Sequence, residues 1–345
     1  MIWGWLTDPS PKAGHGAPAP DGGHTATMTD DAPEENADEA AGEPPWYRPN
    51  DAAYTTLYDY PRPTLSSEAL ALENALAHQL DGHDLTLPPL PRVAEKVLKD
   101  LRSRKSSFNL IARHVAEDQV IAGAVLRMAN SPLYRGRDKI QSLQPAVVRL
   151  GTNSIKTLMM HQSLRAVSAG FKGRTAHYAA AVWLNSQASA FVMRQLAPLR
   201  GIDVDDAFMI GLLHDIGNVV VLRQAAQHTK IADLQISQEE FDYICHECHQ
   251  EFGELIADAW ALPEHLKTII STHHTYPEPD NPLRTEILLI HACDMICALL
   301  GYGPPQPYDL LESRAIADLG LDDNRDFRDV LEVLPGEVDD LLDAL

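Results

Sequence analysis

Apolar residues recur at helical spacing along most of the chain. Between Leu85 and about Leu300 they fall three and four residues apart, and no segment of six or more residues alternates as a half-buried strand does. Val93, Val97, Leu98 and Leu101 mark one helix. Phe108, Ile111, Ala112 and Val115 mark a second, started by Ser107, and Ile121, Val125, Leu126 and Met128 a third, ended by Asn130-Ser131-Pro132. The same pattern predicts helices over 143–150, 154–167, 175–199, 206–224, 239–261, 263–273 and 283–300. Val219 to Leu222 is β-branched enough for a buried strand, but its long helical lead-in assigns it to a helix. Ser66-Ser67-Glu68 caps a shorter helix through about Leu80, with Leu70, Leu72, Leu76 and Leu80 on its apolar side. The expected class is all-α.

The two ends read differently. Residues 1–50 hold eight Pro and six Gly with little aliphatic content, so they cannot offset their ordering entropy and are expected to form a disordered acidic tail. Residues 51–82 are a linker and the short helix; four tyrosines and a tryptophan lie among Pro45, Pro49, Pro61 and Pro63, an extended stretch read as packing against the folded part. After Tyr302 the chain turns through Pro304, Pro305 and Pro307 into an acidic, Leu-dotted extension, 301–345. This segment is consistent with one or two peripheral helices and equally with a solvated tail.

Charge narrows the partners. The net charge is −21; residues 1–50 carry nine Asp/Glu against two Lys/Arg, and 309–345 carry twelve against three. Such a surface repels phosphate backbones, which argues against direct nucleic-acid binding and against anionic membranes, and favours protein partners. No run reaches the length of a membrane span, and Met1 to Leu6 lacks a cationic flank, so the expectation is a cytoplasmic protein. Cys245, Cys248, Cys293 and Cys297 are too sparse for a disulfide framework.

The sharpest chemical signal is Gly211-Leu-Leu-His214-Asp215-Ile-Gly217, an imidazole and a carboxylate inside an apolar helix. Burying both is costly unless they pair or hold a cation. His249, His273-His274 and Asp294 follow, donors of the type that first-row divalent metals prefer. In this order the residues resemble the HD superfamily of metal-dependent phosphohydrolases. The flanking sequence is similar to its HDOD branch: Leu87-Pro88-Pro89-Leu90-Pro91, Ala124 to Tyr134, Pro145 to Gly151, Trp183 before Asn185-Ser186, Gly211 to Gly217, and Trp260-Ala261-Leu262-Pro263. The resemblance spans about residues 83–300. It implies an N-terminal helical bundle (83–170) packed on an HD-like bundle (171–300), and a bacterial signalling role that is mostly noncatalytic.

Departures from the pattern bear on activity. An active HD hydrolase needs a His where this chain has Asn185, a weaker neutral ligand. The related HD-GYP phosphodiesterases carry a Lys where this chain has Asn218, and follow their paired histidines with a glycine framework that Thr275-Tyr276-Pro277 lacks. The resemblance therefore implies a degenerate HD site in which His214, Asp215, His249, His273, His274 and Asp294 remain as donors for a divalent iron, manganese or zinc ion, with Asn185 and Asn218 as binding groups. The alternative is a polar network in which the same residues bond one another.

Two other motifs compete. Cys245-His246-Glu247-Cys248-His249 matches the pattern for covalent haem attachment, but it lies mid-helix without a secretory signal, so no haem is expected. Cys245 and Cys248 with Cys293 and Cys297 have the spacing of a zinc site, and equally that of two core helix faces. Arg127, Asn130, Ser131, Tyr134 and Arg149 read as helix termination and secondarily as a recognition surface. The expected function is a noncatalytic signal-transduction protein, a helical module for protein interaction or ligand sensing. The alternative is a metal-dependent phosphohydrolase acting on a phosphate ester or cyclic dinucleotide.

Overall fold

The computed structural model describes residues 62–82, 87–103, 107–131, 134, 138–172, 174–228, 236–303 and 310–344. The expected acidic tail, and the aromatic stretch before Arg62, lie outside them. The described residues form thirteen α-helices and no strand: α1 (Ser67–Gly82), α2 (Arg92–Arg102), α3 (Phe108–Val115), α4 (Gln119–Asn130), α5 (Leu143–Ser168), α6 (Arg174–Leu196), α7 (Val204–Leu213), α8 (Gly217–His228), α9 (Gln238–Ala259), α10 (Glu264–Thr272), α11 (Arg284–Leu300), α12 (Arg314–Leu319) and α13 (Arg325–Ala344).

Local chemistry sets most of the boundaries. Ser107 Oγ accepts the Leu110 N–H to start α3, and Asp118 accepts those of Val120 and Ile121 to start α4. Ser237 and Glu240 form a reciprocal capping box on α9, and Glu240 Oε1 also accepts the Ser66 N–H at 2.5 Å, so one carboxylate ties the beginnings of α1 and α9 together. α5 bends at Gly151, whose φ of 73° and ψ of −178° interrupt an otherwise helical span. That break separates the two helices expected over 143–150 and 154–167.

Helices α2, α3 and α4 pack on α5, while α6 and α7, α8 and α9, and α9 and α10 pair in a second layer, with α11 against α6. α1 lies on α8 and α9. Trp260, buried at the end of α9, donates its indole N–H to Pro88 O at 2.9 Å and so fastens the Leu87–Pro91 segment before α2 to the second layer.

Three sequence expectations change. The helix predicted to run to 199 leaves α geometry at Leu196, where Pro198 cannot donate, and finishes as a 3-10 turn, Ala197–Arg200. The helix expected over 206–224 is broken at His214–Ile216 into α7 and α8. Adjacent residues on a continuous helix point about 100° apart, so His214 and Asp215 reach one centre only because the chain turns there. In the acidic extension, left open between helices and a solvated tail, the described residues form the helices α12 and α13 and are anchored. Phe327, Leu331, Leu334 and Val338 of α13 are buried, with α13 against α6 and α12 against α11.

Candidate functional site

The break between α7 and α8 delivers His214 and Asp215 to a point where α9 brings His249, the end of α10 brings His273 and His274, and α11 brings Asp294. The close approach depends on Gly217: a Cβ there would lie 1.8 Å from His249 O.

Asp215 divides the cluster between its two oxygens. Oδ1 lies 3.3 Å from His249 Nε2 and 3.5 Å from His273 Nε2. Oδ2 lies 3.6 Å from His214 Nε2 and accepts a long contact, 3.5 Å, from Asn185 Nδ2. His214 Nε2 is closer to Asp294 Oδ1, at 3.2 Å. One donor atom each from Asp215, His249, His273 and His274 lies within 4.8 Å of all the others.

The outer nitrogens fix the ring orientations. His214 Nδ1 donates to Gly211 O at 2.9 Å, His249 Nδ1 to Cys245 O at 2.8 Å, and His273 Nδ1 to Ile270 O at 3.1 Å. These carbonyls assign the proton to Nδ1 in each ring and aim Nε2 inward. The Nε2 atoms of His249 and His273 face one another at 3.3 Å. That spacing suits a cation between them, and carbonyl-held imidazoles are the usual support of a metal ligand.

Burial pushes the His214 pKa down, but Asp215 and Asp294 outweigh it and carry it up to about 10. Burial would raise the Asp215 carboxyl, but His214, His249 and His273 outweigh it and hold the group well below the usual carboxylate range. Burial keeps His249 below its ordinary value and His274 far below, the latter helped by its neighbouring rings. Asp215, His249, His273 and His274 together make a mixed carboxylate and imidazole donor set that fits a single divalent iron, manganese or zinc ion.

Of the residues expected at the site, His214, Asp215, His249, His273, His274 and Asp294 come together, and Asn185 joins them. The amide oxygen of Asn185 accepts from Ser189 Oγ at 3.2 Å, which turns its NH2 toward Asp215. Asn218 begins α8, and its buried Oδ1 meets no hydrogen-bond donor among the described residues. Sequence reasoning missed His246, whose ring stacks on His274 at 4.6 Å, and His291, one turn before Asp294. Burial carries each down to about 4. Their signal was spacing: His246 lies three residues before His249, and His291 three before Asp294.

The four cysteines are buried and do not converge. Cys293 and Cys297 lie 4.0 Å apart against Ser189 of α6, while Cys245 and Cys248 lie on α9, and no group capable of sharing an ion contains them among the described residues. In the first layer Asn130 bonds both N–H and O of Ile140, and Arg149 reaches the Asp138 carbonyl. Both fasten the connection between α4 and α5.

The HDOD domain family model matches residues 87–276. A curated relative, an uncharacterized protein of Treponema pallidum (strain Nichols), is 22% identical over 68% of this chain; the chain spans 46% of that protein's length. A Shewanella amazonensis SB2B protein provisionally described as a metal-dependent phosphohydrolase is similar in structure, with a TM-score of 0.64 and 18% identity over 79% of this chain and 100% of that one. An HDOD domain protein of unknown function from Geobacter sulfurreducens gives 0.57 and 21%, over 79% and 98%. A Marinobacter aquaeolei VT8 protein provisionally described as a signal transduction protein gives 0.56 and 19%, over 81% and 66%. At these identities the likeness is one of fold.

Proposed function

Because the chain belongs to the HDOD family, a membership carried by residues 87–276, we propose that it is a noncatalytic signalling module whose degenerate HD site holds one divalent cation and whose output is a change in affinity for a protein partner. The observation that carries the reading is the convergence of Asp215, His249, His273 and His274 within 4.8 Å, with Nδ1 of His249 and His273 committed to backbone carbonyls. When bound, the ion supplies a fixed positive charge where the turn after α7, α9 and the end of α10 meet.

The same geometry weighs against hydrolysis. The side chains that meet Asp215 are His214, His249, His273 and Asn185. Asn185 presents an N–H to Asp215 Oδ2, so that oxygen faces a donor and not a further ligand. Asn218 offers no positive charge to a phosphate. The histidine side chains 214, 249 and 273 are at most 3% exposed and Asp215 and Asp294 no more than 16%, which leaves little open surface for an ester substrate. The acidic surface favours a basic protein partner over nucleic acid or membrane.

The rival phosphohydrolase reading draws on the assembled Asp215 cluster, and one experiment separates the two. Metal content is measured by mass spectrometry on wild type and Asp215→Ala purified without chelator, with hydrolysis of bis(p-nitrophenyl) phosphate and cyclic dinucleotides assayed in parallel. The expected result is one iron, manganese or zinc per wild-type chain, none in the variant, and no hydrolysis by either. Turnover that disappears with Asp215 establishes the hydrolase instead; an apo wild type makes the cluster a polar network.

A further inference from the structure

Beyond the matched domain, α12 reaches back to the loop that follows the paired histidines. Asp318 Oδ2 accepts the phenolic proton of Tyr276, two residues after His274, and the same oxygen accepts from Arg284 Nη2 at 2.5 Å. The other arm of Arg284 donates to Pro277 O, and the guanidinium of Arg314 lies 4.1 Å over the Tyr276 ring, with that of Arg284 at 5.5 Å. One carboxylate thus joins the end of α10, which bears His273 and His274, to the start of α11, which bears Asp294.

The clamp has a fixed base. Ser313 caps α12 through the Ile316 N–H, Ala315, Ile316, Leu319 and Leu321 are buried, and Arg200 Nη2 donates to Gly320 O at 2.7 Å. An isolated surface ion pair contributes little. Here the shared acceptor serves a phenol and a guanidinium from two different elements on a helix packed into the core.

We infer that Asp318 is a positioning residue: through Tyr276 and Arg284 it sets the placement of His273 and His274 relative to Asp294, so that the C-terminal segment completes a site whose ligands all lie outside it. This rests on the metal reading given above. Groups that orient ligands from outside typically change metal affinity ten- to a hundredfold when removed.

The test uses the full chain. Zinc affinity is measured by competition with a chromophoric chelator for wild type, Asp318→Ala, Tyr276→Phe, the double variant, and Asp323→Ala, which breaks a neighbouring ion pair with Arg328 that leaves Tyr276 untouched. Asp318→Ala and Tyr276→Phe are each expected to weaken zinc about tenfold, the pair no more than the worse single change, and Asp323→Ala not at all. Amide hydrogen exchange on the metal-free proteins is the second readout. Asp318→Ala should speed exchange at residues 272–278 and leave 245–253 unchanged. Wild-type affinity in Asp318→Ala, or faster exchange spread evenly over both segments, overturns the inference. A wild type that takes no zinc defeats the metal reading, and the exchange comparison alone then decides whether the clamp exists.

Discussion

At Gly217 the backbone of α8 touches the backbone of α9, and the contact falls on the carbonyl of a candidate ligand. A methyl group there would overlap His249 O at 1.8 Å, and neither partner is a side chain that can swing away. Gly217→Ala should therefore destabilise the fold by about 1–3 kcal/mol or more and lower metal content, measured by chemical denaturation and mass spectrometry. His161 makes a different prediction. Burial against Trp183, ring centroids 4.9 Å apart, carries its pKa down to about 4 from an ordinary 6.5. The unfolded chain then binds the proton more tightly, so stability falls as pH drops from about 6.5 to about 4, by about 3 kcal/mol for this ring, and is insensitive to it below that range. The wild-type advantage over His161→Gln in urea unfolding should shrink across that window; parallel curves would exclude the assignment. At this scale the sequence was informative about ligand identity, because imidazoles and carboxylates on apolar helices stand out. For His246 and His291 it offered only their spacing from His249 and Asp294, since a buried histidine and a surface one look alike until the faces are assigned.

Helices carry the cluster, two of them at their ends and two at mid-span. The ligands come from the turn after α7, the middle of α9, the end of α10 and the middle of α11. Periodicity made the four elements legible. The break at His214 was not, because residues 206–224 are apolar on every side and give no stripe whose phase could show a turn. The extension 301–345 was ambiguous for the opposite reason: Phe327, Leu331, Leu334 and Val338 keep helical spacing, but acidic residues and Pro335 dilute the signal. Trp260, whose N–H meets Pro88 O, adds a fastener between the layers beside the packing of α5 on α6 and α7. Trp260→Phe keeps most of the ring and strands that carbonyl, so the expected loss is about 1–2 kcal/mol, with faster amide exchange at 92–98 than in wild type. Unchanged exchange there would remove the indole from its role as a fastener.

Over the whole molecule, the family match and the structural unit have different limits. The matched domain ends at residue 276, but α11 supplies Asp294 and packs on α6, and α12 and α13 cover α11 and α6. Deleting residues 302–345 would expose the surfaces that now bury Leu310, Ile316, Leu321, Phe327 and Leu334. At about 1.5–3 kcal/mol for each large buried side chain, the loss is comparable to the stability of an ordinary domain. The truncated chain should unfold without cooperativity or aggregate, as seen by calorimetry and light scattering; a sharp transition near the wild-type temperature would show that the segment is dispensable.

The bend in α5 carries a stereochemical consequence. Gly151 has φ 73° and ψ −178°, and a side chain there would meet no heavy atom within 4 Å. The obstacle to substitution is therefore handedness and not space. An L-alanine would be strained, while reflecting the angles gives the extended, polyproline-like conformation that L-residues favour, so the backbone at 151 is one that a D-residue adopts without strain. Introduced in place of Gly151 by segment ligation, the D-residue should raise stability by about 0.4–1 kcal/mol by restricting the unfolded chain, and its L-enantiomer should lower it, so two proteins of identical composition would melt on opposite sides of the wild type.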